Sequence, residues 1–280
     1  MIDDLKHIWK ICFDDDDEYI DFYFSNRYKS ENTLVHYESG RVVAMLTLLP
    51  VSVATSFGIL QSHYVYAVAT LPEFRGKGIS SALAAKADDY MRIAGDDLAV
   101  VVPATENLFD FYARQGFSTK FFRRVVSFDM NDILSNNSIE GIPLNDIEKF
   151  YALREKHFAC GGFFVRWDKE ALRYTLSESR ISGGEIFYFT NKEDEGYVIV
   201  ELVANKIILK EIALSPALAN AALSFLKNKY SSYTQIQCRL ALDSLLWRGQ
   251  GIIEPVAMLK WFSEYPSLDT SKAYINLLKD

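Results

Sequence analysis

A short glycine-rich segment combines the residue types that bind a phosphate group. It reads Arg75-Gly76-Lys77-Gly78-Ile79-Ser80. An apolar run over residues 63–70 precedes it, and apolar residues with helical spacing follow it over residues 79–94. A strand that leads through a glycine turn into a helix presents free backbone N–H groups at the positive end of the helix dipole. The two glycines give the backbone room to approach an anion, and the two basic side chains add positive charge. The segment therefore predicts a pyrophosphate-binding loop, to which the hydroxyls of Ser80 and Ser81 could contribute.

The spacing of the glycines argues against two other phosphate-binding motifs. A nucleoside triphosphate loop requires GxxxxGK followed by Ser or Thr, and a dinucleotide fingerprint requires GxGxxG. Neither is present, because Ser81 stands where the third glycine of the fingerprint would be. No acidic residue follows at the end of a second parallel strand to bind a ribose. Nicotinamide and nucleoside triphosphate binding are therefore disfavoured.

The elements that must position this loop are predicted from hydrophobic periodicity and turn residues. The acidic run at residues 14–18 indicates the start of a helix, because negative charge is favoured at a helix N-terminus. A glycine turn at residues 38–40 separates two β-rich segments and predicts a hairpin. The predicted elements of the first half are strands at 33–37, 41–50, 63–70, 98–102 and within 117–130, with helices at 79–94 and 106–114.

The second half repeats this order of elements. Residues 131–145 are rich in Asn, Ser, Gly and Pro, so we predict a linker there and a division near Asn136 into domains 1–135 and 136–280. Beyond it we expect helices at 147–158 and 216–230 and strands at 185–190, 197–203, 206–214 and 235–242. No glycine loop stands between residues 214 and 221, so the second domain is predicted to lack the phosphate site.

Composition limits the kind of protein and its partners. The chain has 280 residues, enough for two domains, and a formal net charge of −7. An acidic balance opposes sequence-independent binding to nucleic acid and mildly favours a cationic acceptor. No segment approaches the roughly 18 apolar residues that span a bilayer, and the N-terminus lacks a signal-peptide pattern. We therefore expect a cytoplasmic protein that binds neither nucleic acid nor a membrane.

Cysteine and histidine spacing indicates neither disulfides nor a metal site. The three cysteines, Cys12, Cys160 and Cys238, are widely separated and odd in number, which is typical of buried apolar residues. The four histidines lack HxxxH or HExxH spacing, so we expect no metal.

Two segments resemble motifs of the GNAT-type N-acetyltransferases. Residues 66–83 resemble the central Gln/Arg-x-x-Gly-x-Gly/Ala motif, with Arg75 and Gly78 at the first two positions and Ser80 where Gly or Ala is usual. Residues 107–117 resemble the later helix that ends in Phe-Tyr-x-x-x-Gly-Phe. The resemblance covers roughly residues 33–128. It implies the acyl-CoA N-acyltransferase fold, an α/β fold with a mixed, mostly antiparallel sheet flanked by helices.

The resemblance also implies a reaction and a set of site residues. Acetyl-CoA would be the co-substrate, and a primary amine of a small molecule or peptide would attack its thioester directly in a ternary complex. Tyr112 would be the general acid that protonates the leaving thiolate. Asn107 would contact the pantetheine arm, and His63 is a candidate base. The remaining implied cofactor-binding residues are Val68, Ala69 and Thr70 on the strand and Arg75, Gly76, Lys77, Gly78, Ile79 and Ser80 in the loop.

Other interpretations of the chain stay open on the sequence alone. The order of two similar halves resembles the tandem Eis-type branch, with a degenerate second GNAT-like domain and without the sterol-carrier-like domain of its longer members. A non-catalytic module that senses acyl-CoA or binds a partner protein is the alternative to an enzyme, and another acyl group could replace acetyl. A homo-oligomer is compatible with the sequence. Five aromatic residues could line an acceptor pocket or pack in a core: Phe163, Phe164, Trp167, Tyr188 and Trp247.

Overall fold

The structure, a computed structural model, describes residues 1–135, 139–159, 162–264 and 268–276. Cys160 and the predicted division at Asn136 lie outside these residues. The chain forms two compact units, and neither is a continuous half of the sequence. The first comprises Met1–Val53, Phe57–Lys120 and Ala257–Leu268; the second comprises Ala54–Ser56, Phe121–Val256 and Asp269–Asp280. The units therefore do not divide at residue 136.

The described residues of the first unit form four α-helices, namely α1 (Ile2–Phe13), α2 (Asp17–Asn26), α3 (Ile79–Ala94) and α4 (Glu106–Arg114). The acidic run does begin α2, because the carboxylate of Asp16 accepts a hydrogen bond from the backbone N–H of Tyr19 at 2.7 Å. The helix α1 was not predicted from the sequence. Its buried residues Leu5, Ile8 and Trp9 recur at helical spacing and provide the apolar face.

The sheet of the first unit has the order β1 (Thr33–Glu38), β2 (Arg41–Thr55), β3 (Gly58–Thr70), β4 (Leu98–Val101) and β12 (Ile252–Trp261). The strands β1 and β2 form the predicted antiparallel hairpin. β3 and β4 are parallel and pair from Ser62 with Leu98 to Val65 with Val101. Residues Met258–Trp261 of β12 pair antiparallel with β4. This strand was not predicted, and it lies about 150 residues further along the chain than β4.

The second unit repeats the order of two helices, three strands, a helix and a strand, with further strands before and between its first two helices. In chain order the elements are β5 (Ser118–Asp129, from residue 121 onward), β6 (Ile142–Pro143), α5 (Ile147–Phe158), β7 (Phe163–Arg166), α6 (Lys169–Ile181), β8 (Glu185–Thr190), β9 (Glu195–Val203), β10 (Lys206–Ala213), α7 (Pro216–Lys229) and β11 (Gln235–Ala241). The sheet order is β5-β11-β10-β9-β8-β6, with β10 and β11 parallel and β5 antiparallel to β11. The helix α6 and the strand β7 were not predicted. The predicted linker at 131–145 is partly ordered structure, because it contains β6, and Ile133 and Leu144 are buried.

Each unit thus receives one strand from the distant half of the sequence. β12, near the C-terminus, completes the sheet that begins at β1, and β5, from the first half, pairs with β11. β12 is antiparallel to β4, the second strand of the parallel pair β3 and β4. β5 is antiparallel to β11, the second strand of the parallel pair β10 and β11, so β12 and β5 hold equivalent positions. Both sheets are mixed and mostly antiparallel with helices packed against them, which confirms the predicted fold class.

A buried ion pair lies in the core of the second unit. Two nitrogens of Arg154 contact the two carboxylate oxygens of Glu211 at 3.1 and 3.2 Å. The hydroxyls of Tyr197 and Tyr274 donate to the same carboxylate at 2.5 and 3.0 Å. The charge of Glu211 is therefore fully hydrogen-bonded within a core that excludes water. Through Tyr274, the segment near the end of the chain is fastened to the interior of this unit.

Candidate active site

β3 continues for five residues beyond its pairing with β4, and this opening of β3 is the first feature of the candidate site. Their pairing stops at Val65 and Val101, whereas β3 continues for five more residues to Thr70. Ala67 adopts a left-handed backbone conformation with φ 50°. Val65 and Val68 consequently line the same cleft, although residues three apart on a regular strand point to opposite faces. The irregular backbone of β3 is therefore available for main-chain hydrogen bonds to a ligand.

The glycine loop forms the entrance to α3, as its sequence predicts. Gly76 and Gly78 have φ values of 76° and 77°, a conformation that L side chains rarely adopt. The first intrahelical hydrogen bond runs from the N–H of Ala82 to the carbonyl of Gly78. The N–H groups of residues 79–81 precede it, no side chain caps this end, and the first turn holds no acidic residue. The end of α3 is thus suited to an anionic ligand.

Side chains around the loop hold it against β3. The Nε of Arg75 donates to the carbonyl of Thr70 at 2.9 Å, and the hydroxyls of Thr70 and Ser80 are 2.9 Å apart. The ammonium group of Lys77 lies 4.8 Å from the ring centre of Phe74. Arg75 therefore fixes the loop while it keeps a positive charge beside it. The carbonyl of Thr70 also accepts from the thiol of Cys12 at 3.5 Å, so both of its acceptor positions are used within the protein.

An apolar cleft lies between α3 and α4, beside the opening of β3. The two helices pack with β3 in one hydrophobic cluster that includes Val65, Ala87, Met91 and Tyr112. The cleft is lined by Leu46, Val65, Val68, Ala84, Ala87, Asp88, Met91, Phe111, Tyr112, Gln115 and Phe117. The predicted acid Tyr112 and the predicted strand contact Val68 therefore face the same space. The enclosed space is about 10 Å³, room for about one water molecule, so a larger ligand would lie at its mouth.

Tyr112 lies in this cleft with its ring held by two neighbouring aromatic rings. It is 7% exposed, and its ring centre lies 5.1 Å from that of Phe111 and 5.8 Å from that of Phe117. Burial raises the pKa of Tyr112 to about 12, because the phenolate would lose its solvation. The side chain therefore keeps its proton near neutral pH, as a proton donor must.

The other predicted site residues occupy distinct positions. Asn107 is exposed in the first turn of α4, and Ala69 is buried on β3. The ring nitrogen Nδ1 of His63 lies 2.6 Å from a carboxylate oxygen of Asp96, which precedes β4. His63 therefore joins β3 to the turn before β4, and it does not line the cleft. A role for His63 as a base stays a prediction.

The five aromatic residues of the proposed acceptor wall lie in the second unit. Phe163, Phe164 and Trp167 are buried, which favours the core interpretation. The hydroxyl of Tyr188 donates to Glu195 at 2.7 Å, and the ring of Trp247 packs 4.9 Å from that of Phe128. Each of these side chains is thus accounted for by packing or by a local hydrogen bond.

Three polar residues at the cleft were not singled out from the sequence. Asp88 and Gln115 line it, and Lys260 from β12 forms an ion pair with Asp88. An isolated Asp, Gln or Lys on a helix or strand carries no local signal, so only their positions in space reveal them. Within the described ranges, no group of three or more His, Cys, Asp or Glu residues could hold a metal ion. Over the same ranges, no helix is long and apolar enough to cross a membrane.

Comparison with known proteins agrees with this geometry. Residues 1–119 match the family model described as an acetyltransferase (GNAT) domain. This stretch contains the loop, both helices of the cleft and Tyr112. Residues 1–119 therefore correspond to a GNAT acetyltransferase domain. A search of the curated proteins finds no significant match.

Solved structures share the fold over nearly the whole chain. A GCN5-related N-acetyltransferase from Kribbella flavida is 17% identical with a TM-score of 0.71, and the match covers 93% of this chain and 68% of that one. A GCN5-related N-acetyltransferase from Anabaena variabilis is 19% identical with a TM-score of 0.74, covering 92% and 69%. Eis1 from Mycobacterium abscessus is 12% identical with a TM-score of 0.66, covering 92% and 70%. The fold of these proteins thus extends through both halves of the sequence.

Proposed function

We propose that this protein is an acetyl-CoA-dependent N-acetyltransferase that acts on a primary amine. The observation that carries the proposal is the order of three features along one path on the first unit. The path begins at the glycine loop and free N-terminus of α3, passes the irregular backbone at Ala67 and Val68, and reaches the buried hydroxyl-bearing residue Tyr112. An acyl-CoA has matching parts in the same order, namely a pyrophosphate, an amide-bearing arm and a thioester.

Each part of the path has a defined role in binding. The N–H groups at the start of α3 would bind the pyrophosphate, with Lys77 adding positive charge. The strand backbone around Val68 would hydrogen-bond the amide groups of the arm, as an added strand does. Asn107, exposed at the start of α4, would donate to the same arm. These contacts would hold the thioester beside Val68 and Tyr112 and so reduce the entropy cost of reaction.

In the chemical step, the amine nitrogen forms a bond to the thioester carbonyl carbon and the carbon–sulfur bond breaks. A backbone N–H near Val68 would stabilise the negative charge that develops on the carbonyl oxygen. Tyr112 would give its proton to the departing sulfur, and the proton lost by the amine passes to water. A lysine-like amine is neutral in only about one of several thousand molecules at pH 7, so the amine must lose a proton before attack.

The cofactor site can be tested by ligand-dependent melting. Acetyl-CoA, CoA and ATP are each added to wild type, to Gly78→Glu and to Gly95→Glu. The two glycines lie at opposite ends of α3 and share a left-handed backbone with no atom near an added Cβ, so both variants suffer the same kind of strain. Only Gly78→Glu places a carboxylate at the predicted phosphate site. We expect a ligand at 100 times its Kd to stabilise the fold by about 2.7 kcal/mol.

The expected result is a rise in Tm with both CoA compounds, but not with ATP, in wild type and in Gly95→Glu. Gly78→Glu should show no rise. A folded wild type whose Tm responds to none of the three ligands would contradict the proposal. Turnover is then measured by release of free thiol from acetyl-CoA with lysine amide, tyramine, spermidine and kanamycin. Binding without turnover on a wide amine panel would indicate an acyl-CoA-sensing module instead.

A further inference from the structure

A side-chain hydrogen bond connects the two helices that form the cleft. The amide nitrogen Nε2 of Gln115 donates to the hydroxyl oxygen of Ser81 at 3.2 Å. Ser81 lies in the first turn of α3, directly after the glycine loop, and Gln115 is the residue that ends α4. Both residues are half-buried. The bond therefore joins the phosphate end of α3 to the helix that carries Tyr112.

The direction of this bond leaves the hydroxyl hydrogen of Ser81 available. A serine hydroxyl has one donor and two acceptor positions, and Gln115 occupies an acceptor position. The hydrogen of Ser81 can then be donated to an anion at the N-terminus of α3. A donated bond at the oxygen also polarises the hydroxyl and strengthens its own donation. Gln115 thus favours the orientation of Ser81 that a bound phosphate needs.

The backbone of Gln115 is itself held in place. Its N–H donates to the carbonyl of Tyr112 at 2.9 Å, and the next residue, Gly116, turns the chain with φ 90°. A Cβ added at Gly116 would lie 3.3 Å from the Cε atom of Lys260, and Lys260 forms an ion pair with Asp88 on α3. The turn after α4 is therefore fixed between α3 and β12, so that Gln115 is presented to Ser81 without a large entropy cost.

We propose that Gln115 is a positioning residue for the cofactor, which acts through Ser81. It directs the Ser81 hydroxyl toward the pyrophosphate of acyl-CoA, at the same site as the proposed function and resting on it. The role differs from that of the loop, because Gln115 itself does not touch the phosphate. Its contribution should appear only with ligands that carry a pyrophosphate.

The test compares CoA with pantetheine, which has the thiol arm but no phosphate. Binding of CoA is measured by calorimetry and binding of pantetheine by ligand-observed NMR, for wild type, Gln115→Leu, Ser81→Ala, the double variant and Asp110→Leu. Asp110 is an exposed residue of α4 outside the cleft and serves as the control. We expect Gln115→Leu to raise the Kd of CoA about five-fold, the usual effect of one hydrogen bond. The Kd of pantetheine should stay unchanged.

Non-additivity provides the second readout. Ser81→Ala should weaken CoA binding about as much as Gln115→Leu, and the double variant should be no weaker than either single one, because both remove the same connection. Equal losses for CoA and pantetheine, or effects that multiply in the double variant, would overturn the role of Gln115. Failure of wild type to bind CoA at all would overturn the proposed function, so the two failures are distinguishable.

Discussion

At the scale of single residues, the environment of Tyr112 is the best evidence for a chemical role. A tyrosine on the surface would have a pKa near 10 and no fixed orientation. Tyr112 has a pKa of about 12 because it is buried, and two aromatic rings hold it beside Val68. A raised pKa makes the group a weaker acid in water, but in the proposed mechanism the leaving thiolate would be a base formed beside the same buried residue.

We expect Tyr112→Phe to lower kcat by about a hundred-fold, the lower end of the range for loss of a general acid. The KM for acetyl-CoA should change little, because the ring is retained. Since the pKa of Tyr112 is raised to about 12, only about 1% of it is ionised at pH 10, so wild-type kcat should not fall from this cause between pH 7 and 10. The measurement is the pH profile of kcat for both proteins. An unchanged kcat in Tyr112→Phe would remove Tyr112 from the chemistry.

At the scale of elements, the opening of β3 contains one strained residue. Ala67 has φ 50° and is buried on β3, just past the last parallel pair. Such a conformation costs roughly 1–2 kcal/mol for an L residue and more for a branched one. The strain persists because packing on both faces of β3 fixes the strand, with Val65 and Val68 toward α3 and α4 and Tyr66 toward Trp9 of α1. Strain at this point is consistent with a binding role for the backbone.

Ala67→Val should therefore lower the Tm by roughly 4–8 °C, from about 2 kcal/mol in a domain of this size. The Kd of CoA should rise as well, because a relaxed strand would lose the irregular backbone. Ala67→Gly is the matched control, since glycine adopts φ 50° freely, and its Tm should be close to that of wild type. Melting curves and CoA titrations of the three proteins test this expectation. A valine variant as stable as wild type would show that the residue is not strained.

At the scale of the whole molecule, each unit is completed by a strand from the far half of the sequence. The outer edge of β4 is covered by Met258–Trp261, and β11 is covered by residues 123–129 of β5. Lys260 on the incoming strand also pairs with Asp88 of α3 and packs beside Gly116. The first unit thus depends on residues 257–268 both for its sheet and for the cleft.

A fragment of residues 1–135 should consequently fail to fold on its own. It contains the whole matched GNAT segment but lacks β12, so β4 would present an unpaired edge and Asp88 would lose its partner. We expect no cooperative melting transition by circular dichroism and no CoA binding. The fragment should recover both when it is co-expressed with residues 139–280. A fragment that melts cooperatively and binds CoA alone would show that the exchanged strand is dispensable.

The sequence predicted the elements whose signals are local. The glycine loop, the helices at α3, α4 and α5 and the hairpin of β1 and β2 were found from residues that are neighbours in the chain, and the structure confirms them. The helices α1 and α6 were missed even though their apolar residues recur at helical spacing. The strand β12 was missed because its partners lie far along the chain.

The residues of the candidate site likewise include some that local sequence predicts and some that it does not. Local motifs indicated the loop and Tyr112, because the glycine loop and the helix pattern are each formed by residues that are close together in the sequence. Local sequence could not predict a role for Gln115, Asp88 or Lys260, because each is an ordinary polar residue and only the fold brings it to the cleft. The left-handed backbone at Ala67 is likewise imposed by packing on both faces of β3. The sequence by itself determined the class of domain and its glycine loop. The tertiary structure decided which residues hold that loop to α4 and which strand completes each unit, because those interactions join residues that are distant in the chain.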